Sequence, residues 1–326
     1  MAVYTHLAAE QLAELIDAYD VGPLVSAKGI AEGVSNSNWV VETGGSKAAG
    51  SRFILTMYER RIEIADLPFF LNLLDHLAER NCPVPRTIHD REGASFRMIE
   101  GKAVVLIEFL PGVSVDHPTP AQARSVGQAL AQVHLASQDF GMSRPNTLDI
   151  TMSQQTLENC GDGALAAIGP ELAACVAKAD ALREAWPWEL PRAICHTDLF
   201  PDNVLMLGEK VSALIDFYFA CEDAMAYDLA VTHASWCFGH QGREFSEGIG
   251  RALVAGYESV RPLSLREREA MPLLAQGACL RFIASRAEDW LNTPQNALVT
   301  RKDPMDFVRR LDFYAAAGAG AFTDKP

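Results

Sequence analysis

Basic residues are scarce in this chain. It carries 28 Lys and Arg against 42 Asp and Glu, a formal net charge of −14. Proteins that bind nucleic acids neutralise phosphates with clustered basic side chains, so this balance argues against a nucleic-acid partner. A small anionic ligand is still compatible with it, because backbone N–H groups and a metal ion can hold phosphate without a basic surface.

Paired cysteines and long apolar runs are absent as well. The seven cysteines contain no C-x-x-C pair and lie mostly within apolar runs, so we expect reduced core residues. No uninterrupted apolar run approaches the roughly 18 residues of a membrane span, and the first twenty residues, MAVYTHLAAEQLAELIDAYD, lack the pattern of a signal peptide. These absences predict a cytoplasmic protein with no membrane association.

The chain is rich in dispersed apolar residues. It has 326 residues, of which 49% are hydrophobic and 21% are charged, enough to bury one large core or two adjoining ones. The combination of low hydrophobicity and high net charge that marks disorder is missing. The sequence therefore predicts a globular protein.

The N-terminal third predicts an antiparallel sheet of about five strands. Thr5 can cap an amphipathic helix with Leu12, Leu15 and Ile16 on its apolar face. Strand-like segments follow up to RFILTMY, and LPFFLNLLDHLAER (67–80) has helical periodicity. The segments SFRMI and KAVVLIEFL alternate about a turn at Glu100-Gly101.

The pattern changes near Gly112. Helical periodicity dominates from Thr119 onward, interrupted by the short β-like pieces AIC, NVLML and VSALIDF. The prediction is an α+β fold with a small antiparallel-sheet lobe over 1–108 and a larger, mainly helical lobe over 109–326.

The segment ICHTDLFPDN concentrates polar residues that can carry chemistry. His196, Asp198 and Asn203 form H-x-D-x-x-x-x-N, and Asp216 ends an apolar run thirteen residues after Asn203. A loop followed by a short hairpin can bring three oxygen-bearing side chains together, so that Asp198 meets a substrate hydroxyl while Asn203 and Asp216 coordinate Mg²⁺. Phosphates of a nucleotide would complete the metal shell. His196 we interpret as bracing this loop through hydrogen bonds to backbone.

Two stretches of the N-terminal third could contact a nucleotide. Gly29, Gly33, Ser35, Asn36 and Ser37 are predicted to lie in a turn between strands, where backbone N–H groups and hydroxyls could cover phosphates. An ordinary hairpin turn explains them equally well. The backbone from Glu108 to Leu110 could bond an adenine edge, although a buried strand before a Pro-Gly turn is as good a reading.

Several segments resemble the aminoglycoside phosphotransferase and choline kinase group, whose fold is protein-kinase-like. They include EGVSNSNWVVET, RFILTMYE, ICHTDLFPDNVLM, LIDFYFACEDAMAYDLAV and LRFIASRAEDWLNTP, and together the similar segments cover most of the chain between Gly33 and Pro294. Within that group the sequence is most similar to the homoserine kinase family of bacterial threonine biosynthesis.

The resemblance implies ATP-dependent phosphorylation of the L-homoserine hydroxyl, with Mg²⁺, and bilobal architecture with an N-terminal nucleotide-binding lobe. By motif, Asp198 resembles the catalytic aspartate, and Asn203 and Asp216 resemble the metal ligands. Thr56 stands where the wider group has a phosphate-binding lysine. Lys28, Arg52 and Arg60 are candidates to replace that charge, although each fits a solvated surface residue as well.

A zwitterionic amino acid needs a cationic and an anionic partner near Asp198. Arg281, in GACLRFIASRAEDWL, is the candidate for the carboxylate, with a structural or rim salt bridge as the alternative. Asp223, Tyr218 and Trp290 are further substrate candidates from their positions beside the motif or on the same helix; aromatic residues are more often core.

Three rival functions remain open at this point. A kinase for choline, methylthioribose or an aminoglycoside would use the same loop. Thr56 is compatible with a nucleotide-binding pseudokinase, although such a protein need not retain Asp198, Asn203 and Asp216 together. An Mg²⁺-dependent hydrolase would use similar ligands with water as acceptor.

Overall fold

The computed structural model describes residues 5, 7–30, 36–45, 52–59, 63–293 and 301–323. The chain divides into two compact units, Met1–Gly112 and Val113–Pro326.

The N-terminal unit is an antiparallel sheet with two helices. Its sheet has the strand order β1-β2-β3-β6-β4, with β5 paired to β6, so the predicted antiparallel sheet is confirmed with six strands instead of about five. The elements are α1 (Ala9–Asp17), β1 (Leu24–Gly29), β2 (Asn36–Thr43), β3 (Arg52–Tyr58), α2 (Leu67–Glu79), β4 (Thr87–Ile88), β5 (Arg97–Ile99) and β6 (Lys102–Glu108).

Helix α1 covers one face of this sheet. Leu12, Leu15 and Ile16 are buried against alternate residues of β2, β3 and β6, among them Trp39 and Leu55. The helix has the predicted apolar face because residues three and four apart share one side.

The predicted cap of α1 is wrong. Ala8 occupies the N-cap position, and the Thr5 hydroxyl donates to Glu59 Oε2 at 3.0 Å. Thr5 therefore connects the chain before α1 to the residue after β3 instead of starting the helix.

The predicted phosphate-covering turn is wrong for part of its length. Asn36 and Ser37 are the first residues of β2, paired with Tyr58 and Met57 of β3, and Gly29 is the last residue of β1. Pairing with β3 extends the strand to Asn36. Gly33 and Ser35 lie outside the described residues.

The C-terminal unit is mainly helical, as predicted. Its β structure consists of two antiparallel ribbons, β7 with β10 and β8 with β9. The elements are α3 (Pro120–Ala136), α4 (Ile150–Cys160), α5 (Asp162–Ile168), α6 (Pro170–Glu184), β7 (Arg192–Cys195), β8 (Val204–Leu207), β9 (Lys210–Leu214), β10 (Cys221–Ala224), α7 (Met225–Trp236), α8 (Glu247–Glu258), α9 (Leu265–Asn292) and α10 (Met305–Ala317).

Helix α7 is the central element of this unit. All of its residues are buried, including Asp228, Thr232 and His233, so each of these polar side chains needs a partner inside the protein. Around it, α3 and α8 cross at very short distance. A Cβ added at Gly127 would lie 2.1 Å from Leu253 O, and one at Gly256 would lie 2.1 Å from Arg124 O. The crossing therefore requires glycine on both helices.

All seven cysteines are free, and all but Cys160 are buried, in agreement with the predicted reduced core residues. In the described part of the chain, no helix has both the length and the apolar character to cross a membrane.

Candidate active site

The H-x-D-x-x-x-x-N segment forms a loop between two ribbons. Strand β7 delivers the chain into the loop, and a 3₁₀ turn over Pro201–Asn203 passes it to the hairpin of β8 and β9. Just after β9 ends, the Ile215 N–H donates to the carbonyl oxygen of Asn203, the residue before β8, at 3.0 Å. This bond places Asp216 beside Asn203, which is the closure that the spacing predicts.

Asp198 lies at the centre of the loop. Asn203 Nδ2 donates to Asp198 O at 2.8 Å and approaches its Oδ2 at 3.4 Å. The side chain is 19% exposed, so a substrate can reach it. Burial raises the pKa of this carboxyl, and the nearby charges of Arg281, His196 and Lys302 act in the opposite direction.

Asp216 adopts the left-handed conformation, with φ 65° and ψ 56°. The residue is exposed to solvent, although many protein atoms lie around its carboxyl group. Burial and the charges of Asp198 and Asp202 raise its pKa to about 7. A carboxyl with two further carboxylates close by is stabilised in its charged form by a bound cation.

The donor set at this point fits Mg²⁺. The Asn203 amide gives its Nδ2 to Asp198, which leaves its carbonyl oxygen available, and Asp216 offers a carboxylate with no hydrogen-bond partner among the described residues. Amide and carboxylate oxygens are the hard ligands that Mg²⁺ prefers. Asn203 and Asp216 are therefore the side chains that could hold the ion.

His196 is fully buried and bonds backbone on both sides, as the sequence predicts. Its Nε2 donates to Ile215 O at 2.9 Å, and its Nδ1 accepts from the Asp198 N–H at 3.2 Å. Burial lowers the pKa of the imidazole, which keeps it in the neutral form that this pattern requires. The imidazole ring thus links the backbone of the loop at Asp198 to the backbone that follows the β8–β9 hairpin at Ile215.

Asp228 of α7 is a positioning residue that the sequence analysis missed. Its carboxylate accepts the N–H of His196 at 2.6 Å and the N–H of Thr197 at 2.8 Å, together with His134 Nε2 at 2.9 Å. Thr197 has a φ of 58°, an uncommon conformation for a β-branched residue. Asp228 therefore stabilises a strained loop. The available signal was an aspartate, the one charged acid or base, in the mostly apolar stretch that forms α7.

A chain of buried hydrogen bonds supports His134. Its Nδ1 lies 2.8 Å from the Tyr257 hydroxyl, which accepts from Arg261 Nη1 at 3.3 Å. Arg261 Nη2 in turn donates to Glu267 Oε1 at 2.6 Å. The chain connects α3, α8 and α9 behind the loop, and each member has a partner.

Arg281 reaches the loop from α9. It is buried, donates to Thr197 O through Nη1, and places Nη2 3.7 Å from Asp198 Oδ1. Its guanidinium lies 4.7 Å from the Phe282 ring centroid and 5.5 Å from that of Phe219. The side chain therefore points into the protein, where the guanidinium contacts both the backbone of the loop and the Asp198 carboxylate.

The other substrate candidates lie in different surroundings. Asp223 accepts from Asn146 Nδ2 at 2.6 Å and from the Ala224 N–H at 2.6 Å, so both of its oxygens are engaged. Tyr218 is half-buried in the 3₁₀ turn after Asp216. Trp290 lines a cavity of about 650 Å³ with Ala164, Ala167, Ile168, Leu291, Asn292, Thr293 and Arg301, a set without catalytic-loop residues.

The nucleotide candidates of the N-terminal unit are partly engaged in local bonds. The Thr56 hydroxyl donates to Asn38 Oδ1 at 2.8 Å, and the Ser37 hydroxyl donates to Glu59 Oε1 at 2.6 Å. Asn36 is buried, and its Oδ1 has no partner in the described residues.

At the end of β6, the Glu108 N–H donates to Arg86 O at 2.9 Å. Leu110 follows the strand and is half-buried. The cation candidate Arg52 pairs with Glu42 at 2.9 Å on the surface, Lys28 is exposed on β1, and Arg60 lies outside the described residues.

The sequence profile of the APH phosphotransferase enzyme family matches residues 26–263. A homoserine kinase of Xanthobacter autotrophicus is 47% identical over 317 residues, 97% of each chain. One of Azorhizobium caulinodans is 45% identical over 320 residues, 98% of each chain.

Solved structures of similar fold have much lower sequence identity. A spectinomycin phosphotransferase in complex with ADP and spectinomycin has a TM-score of 0.71 at 15% identity, covering 97% of this chain and 100% of that one. A choline kinase of Cryptosporidium parvum has a TM-score of 0.62 at 13% identity, covering 95% of each chain. The predicted protein-kinase-like fold is thereby confirmed. The chain belongs to the APH phosphotransferase enzyme family, in which its curated relatives are homoserine kinases.

Proposed function

We propose that this protein transfers the γ-phosphoryl group of ATP to the side-chain hydroxyl of L-homoserine, giving O-phospho-L-homoserine and ADP in threonine biosynthesis. The convergence of Asp198, Asn203 and Asp216 on one loop–hairpin unit carries the proposal of phosphoryl transfer. The identity of 45–47% with homoserine kinases along nearly the whole chain supports the choice of acceptor.

Asp198 is the residue placed to receive the acceptor hydroxyl. As the oxygen attacks the γ-phosphorus, its proton passes to the Asp198 carboxylate, and the bond between the γ-phosphorus and the bridging oxygen breaks to release ADP. The Asn203 bond to the Asp198 carbonyl and the His196 bond to its N–H hold the backbone on both sides. Orientation of the hydroxyl is the larger contribution, because alignment removes entropy from the barrier.

Asn203 and Asp216 are proposed to hold Mg²⁺. When bound, the ion neutralises charge on the β- and γ-phosphates. On the nucleotide side we propose Gly33, Ser35, Asn36, Ser37 and Thr56 near the phosphates and the backbone of Glu108 and Leu110 at the adenine.

Arg281 is the leading candidate for the homoserine carboxylate, since its guanidinium already lies next to Asp198. Three residues remain weaker candidates for substrate binding, namely Asp223, Tyr218 and Trp290. Asp223 is already hydrogen-bonded to Asn146, and Trp290 lines a cavity with no catalytic-loop residue in its lining. Seven free cysteines fit a reducing compartment, so we place the reaction in the cytoplasm.

A substrate panel with coupled detection of ADP tests the proposal. We expect turnover of L-homoserine well above that of choline, methylthioribose and an aminoglycoside, and loss of turnover when EDTA removes the divalent ion. Faster turnover of choline or an aminoglycoside would contradict the assignment of the acceptor. Phosphate release at the same rate without any alcohol would indicate a hydrolase.

A further inference from the structure

We propose that Lys302 faces the transferring phosphoryl group and supplies a positive charge for its transition state. The inference rests on the proposed phosphoryl transfer and adds a residue that neither the motif nor the sequence pattern singles out. Lys302 is about a hundred residues beyond Asp198, in the segment before α10.

Lys302 lies against the catalytic loop. Its Nζ is 5.9 Å from the centroid of the Phe200 ring, and Phe200 follows Asp198 by two residues. Phe200 is itself fixed, since its ring packs edge-on to Phe282 at 4.9 Å and contacts Phe307 at 6.2 Å. The lysine therefore lies beside an aromatic ring of the loop that is itself fixed by packing.

The backbone around Lys302 is held, while its side chain is not. Arg286 Nη1 donates to Asp303 O at 3.0 Å, and Arg301 Nη2 donates to Thr293 O. Lys302 is exposed, and its Nζ has no hydrogen bond or ion pair with any residue that the structure describes. A free ammonium group on an anchored segment is available for a ligand.

The charge of Lys302 acts on both sides of the reaction centre. The Lys302 ammonium is close enough to the carboxylates of Asp198 and Asp216 to act on both electrostatically. One carboxylate is proposed to meet the acceptor hydroxyl and the other to hold the metal ion, so a cation near both, on a segment that contacts Phe200, can reach a phosphoryl group held between them.

A phosphoryl group entering this site needs such a cation. Asp198, Asp202 and Asp216 together present negative charge to a triphosphate that is itself negative. Thr56, whose hydroxyl is bonded to Asn38, supplies no charge in the N-terminal unit. A lysine is suited to the role because its compact ammonium acts as a point charge on phosphate oxygens.

Replacement of the lysine by methionine tests the proposal in the full-length enzyme with ATP and Mg²⁺. For Lys302→Met we expect kcat to fall about 10²-fold, the usual loss when one charge-stabilising donor is removed, with the KM for homoserine within about 3-fold of wild type. Lys302→Arg should recover most of kcat because it keeps the charge. Lys178→Met, at an exposed pair with Asp312, is the matched control and should leave kcat unchanged.

Two further substrates separate the phosphoryl role from contact with the homoserine carboxylate. ATP hydrolysis without acceptor, and transfer to 3-aminopropan-1-ol, which lacks the carboxylate, should fall by the same factor as transfer to homoserine. A rise in the KM for homoserine with unchanged rates for water and aminopropanol would overturn the proposal, as would wild-type kinetics in a folded Lys302→Met protein. If wild type prefers another alcohol, the choice of homoserine fails, and the same Lys302 comparison is made with that alcohol.

Discussion

Two aspartates near the catalytic loop differ in chemistry because their hydrogen bonds differ. Asp228 has no access to solvent; burial by itself would raise its pKa, but the hydrogen bonds from His134 and from the His196 N–H lower it. Asp198 has fewer donors, and burial raises its pKa. The lowered pKa of Asp228 favours its charged form, which suits an anchor, whereas the raised pKa of Asp198 suits the proton transfer that we propose for it.

At the residue scale, Asp198→Asn tests the assignment of the base. The amide cannot accept the hydroxyl proton, so we expect kcat to fall at least about 10²-fold while the affinity for ATP remains near normal. Steady-state kinetics and a direct nucleotide-binding titration measure the two quantities. Asp312→Asn makes the same chemical change at an exposed carboxylate and serves as the control. Full activity of Asp198→Asn would mean that another group is the base.

At the element scale, the site depends on helix packing behind the loop. Helix α3 carries His134 and α8 carries Tyr257, which are hydrogen-bonded to each other next to Asp228. The close α3–α8 crossing at Gly127 and Gly256 sets the distance between these side chains. A change that separates the helices should therefore affect both stability and the loop.

Gly256→Ala tests this dependence. The new Cβ would lie 2.1 Å from Arg124 O, so the helices must separate, and we expect the free energy of unfolding to drop by roughly 1–3 kcal/mol or more. Urea denaturation measures the change. Gly163→Ala in α5 is the control, because no atom lies within 4 Å of its added Cβ. A helical position open to solvent should gain up to about 1 kcal/mol from the substitution. Equal effects of the two variants would contradict the role of the crossing.

At the scale of the whole molecule, buried neutral histidines couple stability to pH. His233 is fully buried in α7, where its Nδ1 lies 2.6 Å from the Tyr314 hydroxyl. Burial lowers its pKa from 6.5 to about 3. Between these values the unfolded chain binds a proton that the folded protein does not, so the folded state loses stability as pH falls below 6.5.

His233→Gln should weaken this coupling. From pH 7 to pH 5, we expect wild type to lose about 2 kcal/mol more unfolding free energy than the variant, since the titration of this group is removed. Urea denaturation at the two pH values of both proteins gives the difference directly, and any constant cost of the substitution cancels. The same pH dependence in both proteins would show that His233 does not contribute to it.

The sequence patterns predicted the helical C-terminal unit and most of the antiparallel sheet. Helix α2 follows from the periodicity of LPFFLNLLDHLAER, and the turn at Glu100-Gly101 joins β5 to β6 where the alternation changes. The start of β2 at Asn36 could not be predicted, because the Ser and Asn residues there suit a turn equally well. Pairing with β3 decides that these residues form a strand.

The amino-acid sequence is enough to indicate the family and to predict that three polar side chains meet at one loop. Asp198, Asn203 and Asp216 lie within nineteen residues of chain, so the local path of a loop and one hairpin is enough to bring them close together. The residues that support the loop and place positive charge beside it depend on how distant segments of the chain pack. Arg281 was a candidate from the sequence, but Asp228 and Lys302 come from separate segments, and nothing local to a buried aspartate or an exposed lysine specifies which loop it will contact once the helices pack.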